Sequence, residues 1–540
     1  VRTPSRRADA LWLGLLGLGV LVILGSLPMP HVDGDALFFG EIARGILRSG
    51  DWLTLRHVQW PEWIVDKPPL TFWVTAIVFR VTGPTGWALR AWQVPFSIGL
   101  VAVTHQLARL GRPGPEGRGE ALLAGLVLLT SLEGFYHTVS PQQDVALSFF
   151  VALAFVAYLR YRSEGGTGAA ILTGVWLAAA VLSKGLAALA VFVPAVAADL
   201  LLPPRPPGAW RWSQVAAGAA AAALIGAPWF VEGALRLGRP FVDALFLSGI
   251  GIGRFFHAAL RAPLPYWQAV VAYVPIAIVW MMPWTGLLPA AVGEGWRAVR
   301  AGPAAARLCA LWAGCYFLIL SISPGDKVFR YLLPLLPPLS VLIARAITGA
   351  MATPRTMRIF AALTLGLAVP ALAAFAWLLS ARYHEVAFYA PMAIPVAAAL
   401  ALTVAAFAVL AWQGRGRPAV AVLCAGMLLA YGTLEWTVSA HWERLWPWRA
   451  VAATITRLSR PGDEVIFRGH HGAETNALVF WLDRPVRLVD DDATVERLWR
   501  ERRVFAVVSP ESYAGLSTRL RPTVLIEMPV GWILATNFAP

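Results

Sequence analysis

Apolar runs long enough to cross a bilayer follow one another along most of the chain, separated by short segments rich in Arg, Gly and Pro. A hydrocarbon core about 30 Å thick asks for roughly 20 apolar residues in a helix. The first run, 11–27, follows Arg2, Arg6 and Arg7 and reads as a signal anchor with its N-terminus in the cytoplasm. Residues 31–69 are polar and form a first external loop. The apolar stretch 70–81 is short and runs into a Gly-Pro-Thr-Gly turn, which predicts a helix lying along the membrane surface. Further spans run from 88–109, 120–138, 143–160 and 169–183 through 268–290 to 418–438, thirteen in all.

Arginine placement fixes the orientation. Under this parity Arg109, Arg112 and Arg118, then Arg160 and Arg162, Arg205 and Arg211, Arg297, Arg300 and Arg307, Arg345, Arg355 and Arg358, and Arg415 and Arg417 all fall in cytoplasmic loops. Had 70–81 crossed, these clusters would face outward, against the positive-inside rule. The external side then collects the first loop, a long loop at 232–266 and the chain after 439. Beyond His441 the periodicity shortens. Strands are expected at 464–468, 486–489, 504–508 and 524–528, and helices at 450–458 and 494–502, a small α/β domain. The domains expected are thus a membrane domain at 1–439 and an extracytoplasmic domain at 440–540.

Composition agrees with a membrane chain. Of 540 residues 58% are hydrophobic and 14% charged, against about 25% charged in soluble proteins. This excludes a cytosolic enzyme, a secreted disulfide scaffold and a disordered regulator. The net charge of +14 reflects basic loops rather than nucleic-acid binding, because no basic tract stands out. Among 45 basic residues only Lys67, Lys184 and Lys327 are lysines, and all three fall on the external side under the same parity. Cys309, Cys315 and Cys424 lie inside apolar spans and imply no disulfide framework.

The chemistry worth weighing sits at the external ends of spans. Asp35, Glu41, Arg44 and Arg48 follow one another at helical spacing in the first loop, and Asp66 and Lys67 stand on an extended pre-proline segment. Asp144, Lys184 and the group Asp326, Lys327, Arg330 and Tyr331 lie near bilayer depth. Taken singly, a helix cap, a surface ion pair or a snorkelling lysine accounts for each. A charge at membrane depth costs on the order of 2.5 kcal/mol at a helix centre, and convergence of so many favours function. Ammonium and guanidinium groups bind phosphate oxygens strongly where water is scarce, and a nearby carboxylate can accept a hydroxyl proton. The combination suits group transfer from a phosphate-bearing amphiphile. Gly249, Gly251 and Gly253 match no nucleotide fingerprint, the histidines show no dense ligand spacing, and His137 reads as an interior hydrogen-bonded residue.

At these positions the chain resembles the GT-C membrane glycosyltransferases, in particular the aminoarabinose transferase and protein mannosyltransferase-like branch. GDALFFGEIARGILRSGDW resembles the family's first-loop motif and DKPPLTFW its Lys-Pro-Pro element. PQQDVALSFF, LSKGLAAL, MMPWTGLLP and DKVFRYLLPLLPPL resemble later elements in the same order. The resemblance implies transfer of a monosaccharide from a polyprenyl (undecaprenyl) phosphate to an acceptor on the periplasmic side of the inner membrane, with inversion. It implies Asp35 as the catalytic carboxylate, Lys67, Lys184, Arg254, Lys327 and Arg330 around the lipid phosphate, and Glu41, Asp66, Asp144 and Tyr331 shaping the site. The chain departs from the family pattern at Ala36, Asp66, Ser248 and Gly249. The acceptor, whether a lipid A-like glycolipid, a polysaccharide or a protein, stays open, as does a divalent metal ion. A non-catalytic carrier or flippase for lipid-linked sugars is the rival reading, needing the same cations but no carboxylate beside the sugar.

Overall fold

The computed structural model describes residues 6–30, 34–62, 67–203, 210–247, 265–325, 327–380, 384–469, 472–529 and 531–539. Among these, eight helices are long and apolar enough to cross a membrane, or nine if the bent pair Tyr266–Trp280 and Trp284–Ala301 is one span. Asp9–Gly25, Leu70–Thr82 and Ala187–Leu201 are shorter apolar helices. The chain is a mostly helical multi-pass membrane protein that ends in a small sheet. The helix Leu70–Thr82 has 13 residues; at 1.5 Å per residue it reaches about 20 Å, short of a hydrocarbon core.

The residues gather into two compact units, the first made of 1–27, 66–74 and 90–434, the second of 28–65, 75–89 and 435–540. In the first, Gln143–Glu164 and Thr167–Lys184 form an antiparallel hairpin. Gly165 and Gly166 turn it, with φ of 74° and 97°, values that only glycine adopts readily. Thr167–Lys184 then packs on Trp212–Leu237 through small residues: a Cβ at Gly174 would meet the Gly218 carbonyl oxygen at 1.9 Å. Close backbone approach of this kind is how helices associate in lipid, where apolar burial gives no driving force. Gly174→Val is therefore expected to push the pair apart and destabilise by roughly 1–3 kcal/mol, read as a lowered Tm in thermal unfolding of the detergent-solubilised protein.

Residues 88–109, expected as one span, form the short helix Ala88–Ala91 and the helix Val94–Gly111. Two further expected spans are broken as well, and each of those breaks satisfies the other. Residues 120–138 form Glu116–Thr130 and Leu132–Val139, because Ser131 leaves the helix (ψ 149°) and its hydroxyl caps the next one by accepting from the Gly134 N–H. Residues 268–290 bend by 116° between Trp280 and Trp284. The Leu132 N–H donates to the Met282 carbonyl at 3.0 Å, and the Trp284 indole N–H donates to Thr130 Oγ1 at 3.0 Å. Tyr431 donates its hydroxyl to the freed Thr130 carbonyl at 2.9 Å. Irregular backbone inside a membrane protein needs such internal partners. One buried ion pair elsewhere in this unit is Arg307 with Asp199: Arg307 Nε donates to Asp199 at 3.0 Å, and Tyr158 donates to the same carboxylate at 3.0 Å.

The second unit holds a five-stranded sheet of β1 (Glu464–Arg468), β2 (Arg487–Leu488), β3 (Val504–Val508), β4 (Thr523–Glu527) and β5 (Ile533–Thr536), in the order β2-β1-β3-β5-β4. β1 pairs in parallel with β2 and β3, while β5 runs antiparallel to β3 and β4. β3 is buried along its whole length, which is why VFAVV reads as an unbroken apolar run rather than an alternation. Four helices, Trp448–Leu458, Ala473–Leu482, Asp492–Glu501 and Pro510–Leu520, accompany the strands. Helix Gly34–Ser49 of the first loop belongs to the same unit and packs on Ala473–Leu482. A Cβ at Gly34 would meet that of Ala473 at 2.6 Å, so the two helices need the glycine. Gln59 pairs reciprocally with the Val486 backbone, donating at 2.7 Å and accepting at 2.8 Å.

Candidate functional site

In the first unit, the hairpin of membrane helices brings an acid and a base to one end. Asp144 sits in the first turn of Gln143–Glu164, and Lys184 is the last residue of Thr167–Lys184. Each charge therefore meets the helix dipole of favourable sign. Lys184 Nζ donates to Asp144 Oδ1, with the carboxylate buried and the lysine side chain 18% exposed. The ammonium also lies 4.9 Å from the centroid of the Tyr331 ring. Arg330, next to Tyr331, reaches Gln142 Oε1 at 3.5 Å and is within electrostatic reach of both Asp144 and Lys184. Lys67 is drawn to the same place by its neighbour, since Pro68 lies against Gly185, 3.6 Å from where a Cβ would stand. Asp144, Lys184, Arg330 and Tyr331 are thus gathered, with Lys67 one residue from the contact.

Lys327 has a role that its sequence position did not disclose. Its ammonium donates to the carbonyls of Leu320 (2.7 Å), Ser321 (3.1 Å) and Ser323 (2.5 Å), closing the C-terminus of helix Ala304–Ile322. Three donors are all that an ammonium has. Burial pushes the group down to about 8, and it remains protonated at neutral pH. In this arrangement Lys327 fixes the segment that leads into Arg330, and a phosphate would have to displace a carbonyl to reach it.

Asp35 and Glu41 belong to the second unit. Asp35 stands in the first turn of Gly34–Ser49, half-buried. Glu41 is fully buried, and Arg44 bonds it at 2.6 Å while also donating to the Phe480 carbonyl at 3.0 Å and to Asp483. Burial pushes the Glu41 carboxyl up to about 7, against the pull of Arg44 and Arg48. Glu41 thus holds its helix to Ala473–Leu482 through Arg44. Asp66 and Arg254, with Asp326, His470 and His471, lie outside the described residues.

Several polar residues of the first unit were not singled out from the sequence. Gln143 Nε2 donates to Thr71 Oγ1 at 2.9 Å, tying the start of the Asp144 helix to the helix after Lys67. Gln93 accepts from the Gln142 N–H at 2.7 Å and donates to the His137 carbonyl at 2.5 Å. His137 Nε2 and Glu133 Oε1 lie 3.1 Å apart, both buried, so His137 is the interior hydrogen-bonded residue expected of it. Only the run of two glutamines before Asp144 was a usable signal. Among the described residues no group of three or more His, Cys, Asp or Glu side chains could hold a metal ion.

An apolar groove adjoins the cluster. Arg330 and Tyr331 lie in the 3-10 helix Phe329–Leu335, whose Leu332 and Leu335 line a cavity of about 460 Å³ together with Glu133, Trp280, Met281 and Leu339. Trp280 stacks on Phe329 at 4.0 Å, and the ring of Tyr136 packs edge-on against both. One short helix therefore turns a cationic surface into a greasy one.

Residues 66–231 match the family described as dolichyl-phosphate-mannose-protein mannosyltransferase. The undecaprenyl phosphate-alpha-4-amino-4-deoxy-L-arabinose arabinosyl transferase of Edwardsiella ictaluri is 29% identical over 338 residues, 62% of this chain and 58% of that protein. A transferase of the same description from Sodalis glossinidius is 31% identical over 360 residues, 63% and 59% of the two chains. The matched region is less than two thirds of these relatives' own length. The crystal structure of ArnT from Cupriavidus metallidurans bound to undecaprenyl phosphate superposes with a TM-score of 0.79 at 23% identity, over 98% of each chain, and its apo state with 0.78. The chain has the fold of ArnT, a GT-C glycosyltransferase, over nearly all its length, and in sequence it is a relative of these arabinosyl transferases.

Proposed function

We propose that this protein is an inner-membrane glycosyltransferase that moves a monosaccharide from undecaprenyl phosphate, or another polyprenyl phosphate, to an acceptor at the periplasmic face. The observation that carries the reading is the junction of the Lys184, Arg330 and Tyr331 cluster with the apolar groove that starts at Leu332. A lipid phosphate needs both halves at once: cations for the headgroup and a dry wall for the isoprenoid. The names of the arabinosyl transferases and the lipid bound to ArnT support the same donor. Thirteen spans, arginine-rich cytoplasmic loops and a periplasmic 440–540 domain complete the proposed topology.

In this reading the acceptor hydroxyl attacks the anomeric carbon from the side opposite the phosphate. Its proton passes to Asp35, the bond from the anomeric carbon to the phosphate oxygen breaks, and polyprenyl phosphate departs with its charge met by Lys184, Arg330, Lys67 and Arg254. Lys327 holds the segment that carries Arg330. Asp66, Asp144 and Tyr331 shape the site, with Asp144 keeping Lys184 in place. An acceptor that is itself a phosphate is already ionised, and Asp35 then positions rather than deprotonates.

Undecaprenyl phosphate binding to the nanodisc-reconstituted protein, measured by native mass spectrometry, tests the donor site. Arg330→Met is expected to weaken it roughly ten- to a hundred-fold, the worth of one charge-assisted hydrogen bond. Unchanged affinity would remove Arg330 from the phosphate site and with it the observation on which the reading stands.

A further inference from the structure

A second cavity lies wholly within the second unit and has different chemistry. It encloses about 310 Å³, and its walls include Trp442, Trp446, Trp448 and Trp481 with Glu443 and Arg449. Glu443 and Arg449 form an ion pair at 3.1 Å, and the Arg449 guanidinium lies 4.6 Å from the Trp481 ring centroid. Trp442 and Trp446 stack at 6.0 Å. Four large rings thus share the cavity wall with a carboxylate and a guanidinium. Gly34 and Leu37 also line the cavity, and Asp35 stands between them in the chain.

An alkyl chain would use the rings but offer nothing to the remaining acceptor and donor positions of the Glu443–Arg449 pair. An inorganic anion would use Arg449 and meet repulsion from Glu443. A pyranose ring uses both kinds of wall. Its face of C–H hydrogens carries partial positive charge and seats on the negative face of an indole, while its hydroxyls donate to a carboxylate and accept from a guanidinium. The volume is at the lower end for ligand pockets, about 300–1,000 Å³, which suits one or two sugar rings.

We propose that this Trp-walled cavity is the acceptor subsite and binds a pyranose ring beside the segment that carries Asp35. The assignment rests on the glycosyltransferase reading and deepens it, making the acceptor a saccharide, either free or as the headgroup of a lipid. The test is equilibrium binding, which needs no turnover. The full-length protein, purified without glycoside detergents and set in nanodiscs, is titrated with methyl β-D-glucopyranoside and maltotetraose and followed by saturation-transfer NMR. A second arm places glucosyl diacylglycerol in the disc and measures its retention.

Saturable binding in the first arm marks a free glycan, and binding in the second arm alone marks a lipid-borne one; either supports the subsite. Trp446→Ala and Trp481→Ala are expected to weaken binding at least about ten-fold, while Trp481→Phe, which keeps an aromatic face, stays within about three-fold of wild type. Should the alanine variants fail to fold, Arg449→Met carries the test and is expected to weaken binding several-fold. No saturable binding in either arm overturns the proposal, as does wild-type affinity in the folded variants or occupancy by octan-1-ol with no sugar bound. A protein that transfers sugar but binds no saccharide here overturns this proposal alone; one that binds saccharide here but transfers none overturns the reading above.

Discussion

Asp35→Asn is expected to lower the rate of sugar transfer by roughly two to four orders of magnitude while leaving donor-lipid binding unchanged, the usual worth of a positioned general base. The substitution is nearly isosteric, and losing one carboxylate from the first helical turn costs only about 0.3–1 kcal/mol, so helix Gly34–Ser49 should keep its place. What is lost is the capacity to take a proton. The measurement is single-turnover transfer from a radiolabelled undecaprenyl-phosphate sugar beside native mass spectrometry of the bound lipid. The outcome also separates the rival classes. A carrier or flippase moves lipid-linked sugar without a base and would be indifferent to the change. A phosphate acceptor would give a smaller loss, because its nucleophile is ionised before it arrives. Wild-type turnover in the variant would remove Asp35 as base.

How much of this was readable beforehand depends on whether the determining contact is local. Apolar run length announced the two helices on either side of Gly165 and Gly166, expected at 143–160 and 169–183, and the short apolar run at 504–508 announced β3. The break at Ser131 was missed because one serine in an apolar run is no signal until a partner, here Met282, accepts the freed backbone donor. Helix Ala473–Leu482 was missed for the opposite reason. Buried on several sides at Thr475, Ala477, Leu478, Val479, Phe480 and Leu482, it shows no amphipathic period to detect. β5 is short and buried throughout and hides in the same way. For the site, residue type was informative and role was not. Three retained lysines pointed to chemistry, yet only the fold shows that Lys327 spends its donors on three carbonyls while Lys184 meets a carboxylate. Glu41 and Arg44 are neighbours at helical spacing, but Asp483, which completes their network, lies 439 positions from Arg44.

Lys184→Met is expected both to destabilise the protein by about 3–5 kcal/mol and to abolish measurable donor binding, and the two effects can be pulled apart. Removing the ammonium leaves Asp144 buried without the cation that bonds it, Arg330 acting only at longer range, which accounts for the stability loss. Methionine keeps most of the aliphatic volume against Tyr331, so little of the loss should come from packing. Adding Asp144→Asn removes the stranded charge. Replacing both members of a buried pair with neutral groups is often close to neutral, so the double variant should recover most of the Tm. It cannot recover the cation. If Lys184 serves the lipid phosphate, the double variant folds like the wild type and still fails to retain undecaprenyl phosphate, whereas Asp144→Asn alone keeps a charged, less firmly held lysine and binds the lipid with only a modest deficit. Thermal unfolding and lipid retention on the same preparations decide the matter. A double variant that is stable and binds donor like the wild type would reduce Lys184 to a structural partner of Asp144, and the phosphate site would then have to be built from Arg330 and Lys67 without it.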